Sequence, residues 1–189
     1  MRLLTLISSF LLIGAFAAAC GSPAPAPQAT PASNVSADRG KYIVSTAGCH
    51  DCHTPMKMGP NGPEPDMTRA LSGHPESEKV DKGPALSGQW IAAVNTTGTA
   101  WSGPWGISYT ANLTPDRNTG LGIWTEDMFM RAIREGKHMG TSRPILPPMP
   151  WPVYRNLTDD DLKSVFAYLQ SLQPIANRVP DPIIVEPKK

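Results

Sequence analysis

The chain has 189 residues, with 17 Lys+Arg against 16 Asp+Glu, 21 prolines, 16 glycines and three cysteines. The balanced charge excludes a broad basic surface for nucleic acid, and the length admits one domain of ordinary size with attachments. The proline and glycine content excludes long uninterrupted helices or a large regular sheet, and the odd cysteine count excludes a pure disulfide framework.

Met1-Arg2 is a short basic start, and Leu3 to Ala19 follow without a charge. A positive start, an apolar stretch and the small residues Ala17-Ala18-Ala19 form an export signal over residues 1–19. Ala17-Ala18-Ala19-Cys20-Gly21 resembles a bacterial lipobox. That resemblance implies cleavage before Cys20 and lipidation of Cys20; plain secretion with a free Cys20 is the alternative. Several acyl chains on one cysteine anchor firmly, whereas one binds marginally. Residues 20–35 then form a Pro/Ala-rich linker, uncharged and without core-forming residues. The expected location is a membrane-anchored lipoprotein facing the periplasm or the cell exterior.

The folded domain is expected over residues 36–180. A first helix is predicted near Asp38–Gly48, with Asp38 as N-cap and Tyr42, Ile43 and Ala47 apolar. The segment from Thr54 to Trp124 reads as loop, punctuated by Gly59-Pro60, Gly62-Pro63, Gly83-Pro84 and Gly103-Pro104. Only Gln89–Asn95 suggests a helical turn or short strand. A second helix is predicted from about Thr125 to Glu135, capped by Thr125 and closed by Gly136. A third, Asp159–Leu172, starts at Thr158 with three aspartates, and Leu157 and Leu162 occupy hydrophobic-staple positions. Pro174, Pro180, Pro182 and Pro187 exclude helix beyond it. Residues 181–189 read as an extended tail packed through Ile183, Ile184 and Val185.

Cys49-His50-Asp51-Cys52-His53 is a C-x-x-C-H pentapeptide, the attachment pattern of c-type haem. Two cysteines at this spacing reach the two vinyl groups of one porphyrin, and the adjacent histidine lies beneath the iron. A thiol redox pair is expected instead beside a strand–helix unit. A zinc site needs a fourth ligand beyond Cys49, Cys52 and His53, namely His74 or His138. With Cys49 and Cys52 on one haem and Cys20 on lipid, the cysteine count closes.

Haem iron with one histidine is completed by methionine, by a second histidine, or left open. Met149 is the best candidate, in the segment Leu146-Pro147-Pro148-Met149-Pro150-Trp151-Pro152. Four prolines stiffen that segment and lower the ordering cost of a weak thioether bond. Met139, His74 and His138 are the other candidates.

The assembled pattern resembles class I, single-domain c-type cytochromes. The resemblance rests on Gly48–His53, on Ala111-Asn112-Leu113-Thr114-Pro115-Asp116, on Thr119–Gly122 with Trp124, and on Pro147–Trp151 leading to Ala167-Tyr168-Leu169. The middle blocks are similar to those of cytochrome c domains serving membrane-bound dehydrogenases. The resemblance implies a mainly α fold, a bundle of short helices around one covalent haem c with long Pro/Gly-rich loops. It implies His53 and Met149 as iron ligands, Cys49 and Cys52 on the porphyrin, and Gly40 meeting the last helix near Tyr168. The segment between His53 and Met149 is longer than in the smallest members. Trp90, Trp101 and Trp105 therefore wall the haem, cap a propionate, or simply pack.

The function so implied is electron transfer between extracytoplasmic or membrane-bound redox partners, without catalysis by the chain itself. Two alternatives stand beside it. One is an open-site haem protein binding a small ligand, with Arg143, His138 and Tyr109 as distal groups. The other is a dedicated cytochrome subunit of a dehydrogenase or oxidase complex.

Overall fold

The computed structural model describes residues 34–185. The signal peptide, Cys20 and nearly all of the linker lie outside the described residues.

Helix α1 spans Ala37–Thr46. Its N-cap is Ser36, whose hydroxyl accepts from the Arg39 amide at 3.1 Å; Asp38 sits in the first turn instead. Either residue type caps well, and Ser36 prevails because its extended backbone precedes the helix. The helix stops before Gly48, whose left-handed φ of 75° turns the chain into a separate five-residue helix, α2 (Cys49–His53). Helix α3 (Glu126–Glu135) has the expected Thr125 cap and ends at Gly136. A four-residue helix, α4 (Trp151–Tyr154), precedes α5 (Asp159–Ser171), which Thr158 caps.

Helices α1 and α5 cross closely. A Cβ on Gly40 would lie 1.9 Å from the Ser164 carbonyl oxygen and 2.8 Å from the Tyr168 Cβ, so only glycine permits this approach. The core gathers around that crossing. Ile43 and Val44 of α1 join Phe129 and Ile133 of α3 and Leu162, Val165, Phe166 and Leu169 of α5. Leu71 and Leu121 complete the cluster from connecting segments. The Phe129 and Phe166 rings are 5.3 Å apart.

The segment read as loop contains two small sheets. Strands β1 (Met56–Gly59) and β2 (Gly62–Pro65) form a hairpin. Strands β3 (Ala93–Val94), β4 (Ala100–Gly103) and β5 (Gly106–Tyr109) form an antiparallel sheet. Its fourth strand is β6 (Ile183–Ile184), so the expected tail is extended but belongs to the sheet. It is held by backbone pairing rather than burial: Ile183, Ile184 and Val185 are 42%, 55% and 57% exposed.

Two buried asparagines fasten the strap between α5 and β6. Asn177 donates to the Ser72 and His74 carbonyls and accepts from Arg69 and from the Glu76 amide. Asn112 donates to the Ile175 carbonyl at 2.8 Å.

Candidate functional site

Helix α2 is short because its purpose is local. One turn places Cys49, Cys52 and His53 at i, i+3 and i+4, which share a helix face. All three line a cavity of about 430 Å³. That volume lies within the range of small-molecule and cofactor sites. Apolar side chains of α1, α3 and α5 form much of its wall, among them Ile43, Phe129, Val165 and Leu169.

His53 is buried, and its Nδ1 lies 2.8 Å from the Ala111 carbonyl oxygen. Nδ1 therefore carries the proton and Nε2 keeps a free lone pair, the state a metal-ligating imidazole needs. Desolvation pushes its pKa down, which favours the same neutral form.

Both thiols are free. Burial, with the nearby Asp51 charge, pushes Cys49 up to about 11 and shifts Cys52 upward as well. A thiol redox pair needs a stabilised thiolate, so these cysteines are poor candidates for that role. The zinc reading fails too. Among the described residues no group of three or more His, Cys, Asp or Glu side chains is arranged to hold a metal ion. His74 has both ring nitrogens engaged, with Thr99 Oγ1 at 2.9 Å and the Glu78 carbonyl oxygen at 3.2 Å.

Met149 is half-buried against the core and lines the same cavity. Its segment is fixed from three directions. Ser108 on β5 donates to the Pro147 carbonyl at 2.5 Å. Tyr154 donates to the Ala47 carbonyl at 2.6 Å, tying α4 to the end of α1. Trp151 covers Gly136, where a Cβ would lie 2.3 Å from the indole. Met139 and His138 reach the cavity from the turn after α3, and His138 stands edge-on to Trp124 at 5.3 Å.

The remaining expected groups separate. Arg143 and Tyr109 line the cavity; the Tyr109 hydroxyl donates to the Val80 carbonyl. Trp101 lines it, Trp105 donates its indole N–H to Ser108 Oγ at 3.3 Å, and Trp90 is 77% exposed away from it. Sequence reasoning missed the strap. Residues Arg178–Pro182 form part of the wall, and only the prolines after α5 hint at an ordered extended run.

The cavity suits a haem on chemical grounds. It offers two adjacent thiols, a neutral imidazole with a free nitrogen, a thioether on a stiff segment and an apolar lining. Two buried polar atoms in its wall, Trp101 Nε1 and Thr110 Oγ1, have no protein partner.

No family model matches the chain. It is 32% identical over 144 residues to the fructose dehydrogenase cytochrome subunit of Gluconobacter japonicus, covering 75% of this chain and 23% of that protein. It is 29% identical over 143 residues to a nicotinate dehydrogenase subunit of Pseudomonas putida, covering 76% and 9%. The cytochrome c subunit of the quinone alcohol dehydrogenase of Gluconobacter oxydans is 28% identical over 146 residues, covering 76% and 23%. The chain thus spans less than a quarter of the length of these relatives. These likenesses support a c-type cytochrome and imply haem c as its cofactor.

Proposed function

We propose that the chain is a class I, single-haem c-type cytochrome acting as the electron-carrying subunit of a membrane-bound dehydrogenase. One observation carries the reading: Cys49, Cys52, His53 and Met149 line a single apolar cavity. Cys49 and Cys52 hold the porphyrin through thioethers, and His53 Nε2 and Met149 Sδ are the axial ligands. Bound haem supplies one-electron iron chemistry.

The chain's own residues do the rest. The Ala111 carbonyl fixes the His53 ring through Nδ1 and strengthens it as a donor. The clamped Met149 segment pre-organises the opposite face. Ile43, Phe129, Val165 and Leu169 exclude water, which disfavours the more highly charged ferric state and raises the potential. With both axial positions filled, no site remains for a substrate, in keeping with a carrier rather than an enzyme.

The dehydrogenase partner is proposed from the relatives, which include cytochrome subunits of fructose and alcohol dehydrogenases. Attachment to an extracytoplasmic membrane face through lipidated Cys20 is proposed from the sequence. Among the described residues no helix is long and apolar enough to cross a membrane.

The test is spectroscopic. The exported chain should gain the mass of one haem, and its ferric form should show the weak far-red band of methionine–iron bonding. Met149→Ala should abolish that band while the haem stays attached. A wild-type protein that lacks the band and binds carbon monoxide readily would sink the closed-carrier reading.

A further inference from the structure

Trp101 and Trp105 flank the turn between β4 and β5, yet their indoles differ. Trp105 Nε1 donates to Ser108 Oγ, whereas Trp101 Nε1 is buried without a partner. Buried polar atoms without partners are rare and call for an explanation. An indole N–H only donates, so the absent partner is an acceptor. Thr110 Oγ1, just beyond β5, is a second buried orphan in the same wall.

The charges nearby specify the acceptor. Arg143 lines the cavity, and its side chain makes no hydrogen bond or ion pair among the described residues. A guanidinium also only donates, in a planar fork matched to a carboxylate. Asp181 on the strap lines the cavity as well. Its charge acts on both Arg143 and His138, but it forms no ion pair with them. The strap thus brings a negative charge to a positive wall without neutralising it by contact.

We infer that Trp101, Thr110 and Arg143 form a carboxylate site receiving a haem propionate, and that Asp181 of the C-terminal strap is its opposing charge. The inference rests on the haem reading above. The carboxylate belongs to the haem rather than to a free acid because the site shares one cavity with Cys49 and Cys52. Losing Arg143 or the indole N–H leaves the propionate charge less compensated, which favours the ferric state. Losing Asp181 removes a negative charge and favours the ferrous state.

The experiment uses the full haem-loaded chain and the variants Trp101→Phe, Arg143→Gln and Asp181→Asn. Haem content is read by mass, the propionate bending modes by resonance Raman, and the midpoint potential by spectroelectrochemistry. All variants should keep covalent haem. Trp101→Phe and Arg143→Gln should shift a propionate mode and lower the potential, and Asp181→Asn should raise it. Arg143→Gln, on an exposed segment, keeps the test decisive if Trp101→Phe misfolds. Attached haem with unchanged modes and potential in Arg143→Gln would overturn the site, as would an acetate-dependent shift in wild type that Arg143→Gln removes. A fall in potential in Asp181→Asn would overturn the opposing-charge role. A wild-type chain without covalent haem would instead overturn the haem reading itself.

Discussion

The helical part and the sheet-and-strap part of this molecule are stabilised by different means. Eight of the ten residues in the core cluster lie on α1, α3 and α5. The sheet and strap contribute few apolar side chains and are held by polar ones. Asn112, Asn177 and Asn95 reach across to backbone groups that short strands leave unpaired. One part is glued by area, the other pinned by individual hydrogen bonds. The cavity lies where they meet: α2 and the core supply its apolar wall, and β4, β5 and the strap supply its polar one.

If this contrast holds, damage to each part should look different. Leu169 is 2% exposed in the core, and Leu169→Ala should lower global stability by about 2–5 kcal/mol through lost burial and a cavity. Chemical denaturation should show the loss as a shift of the whole unfolding transition. Asn177→Ala should cost on the order of 2–3 kcal/mol, because backbone groups of Ser72, His74 and Glu76 lose their partner. Its signature should be local. Hydrogen exchange should quicken in β5 and the strap while α1 and α5 keep their protection. A uniform quickening would mean that the two parts unfold as one.

The same contrast explains what could be read from sequence. Helices α3 and α5 were legible because caps and apolar spacing are local signals: Thr125 and Thr158 cap as expected, and Leu162 and Leu169 are buried. Cys49, Cys52 and His53 were legible because their chemistry sits within five residues. The prolines around Met149 marked a stiff segment, but its clamps could not be seen. Ser108 is 39 residues from Pro147, and Tyr154 is 107 from Ala47. The strands were hidden because they are two to four residues long and rich in Gly and Pro, too short for period-two alternation. The strap's place in the cavity wall depends on Asn112 and Asn177, and hydrogen bonds from asparagine to distant carbonyls leave no pattern in sequence.

Acidification probes both parts. His50, His53, His74 and His138 all have pKa values lowered by desolvation in the folded chain. The unfolded chain therefore binds more protons, and stability rises with pH. It is fully present above the ordinary histidine value of about 6.5 and is lost as pH falls below it. Each histidine contributes a slope of up to about 1.4 kcal/mol per pH unit in that window. His74, fully buried beside Thr99, isolates the sheet part. His74→Gln should remove one proton's worth of slope in denaturation series between neutral and mildly acid pH. An unchanged slope would place the acid sensitivity in the helical part.

The smallest effect tests the entry to α1, where the two parts do not compete. Ser36 makes two contacts: its hydroxyl accepts from the Arg39 amide, and its own amide donates to Ser164 Oγ at 3.1 Å. Only the first depends on the side chain. Ser36→Ala should cost about 1 kcal/mol, the usual loss for an N-cap hydroxyl. Asp38→Ala should cost less, because Asp38 acts only through the helix dipole from the first turn. Since α1 buries its apolar face against α5, the loss in Ser36→Ala should appear in global denaturation and leave exchange in β5 unchanged. Equal losses in the two variants would mean that charge rather than the cap geometry starts the helix.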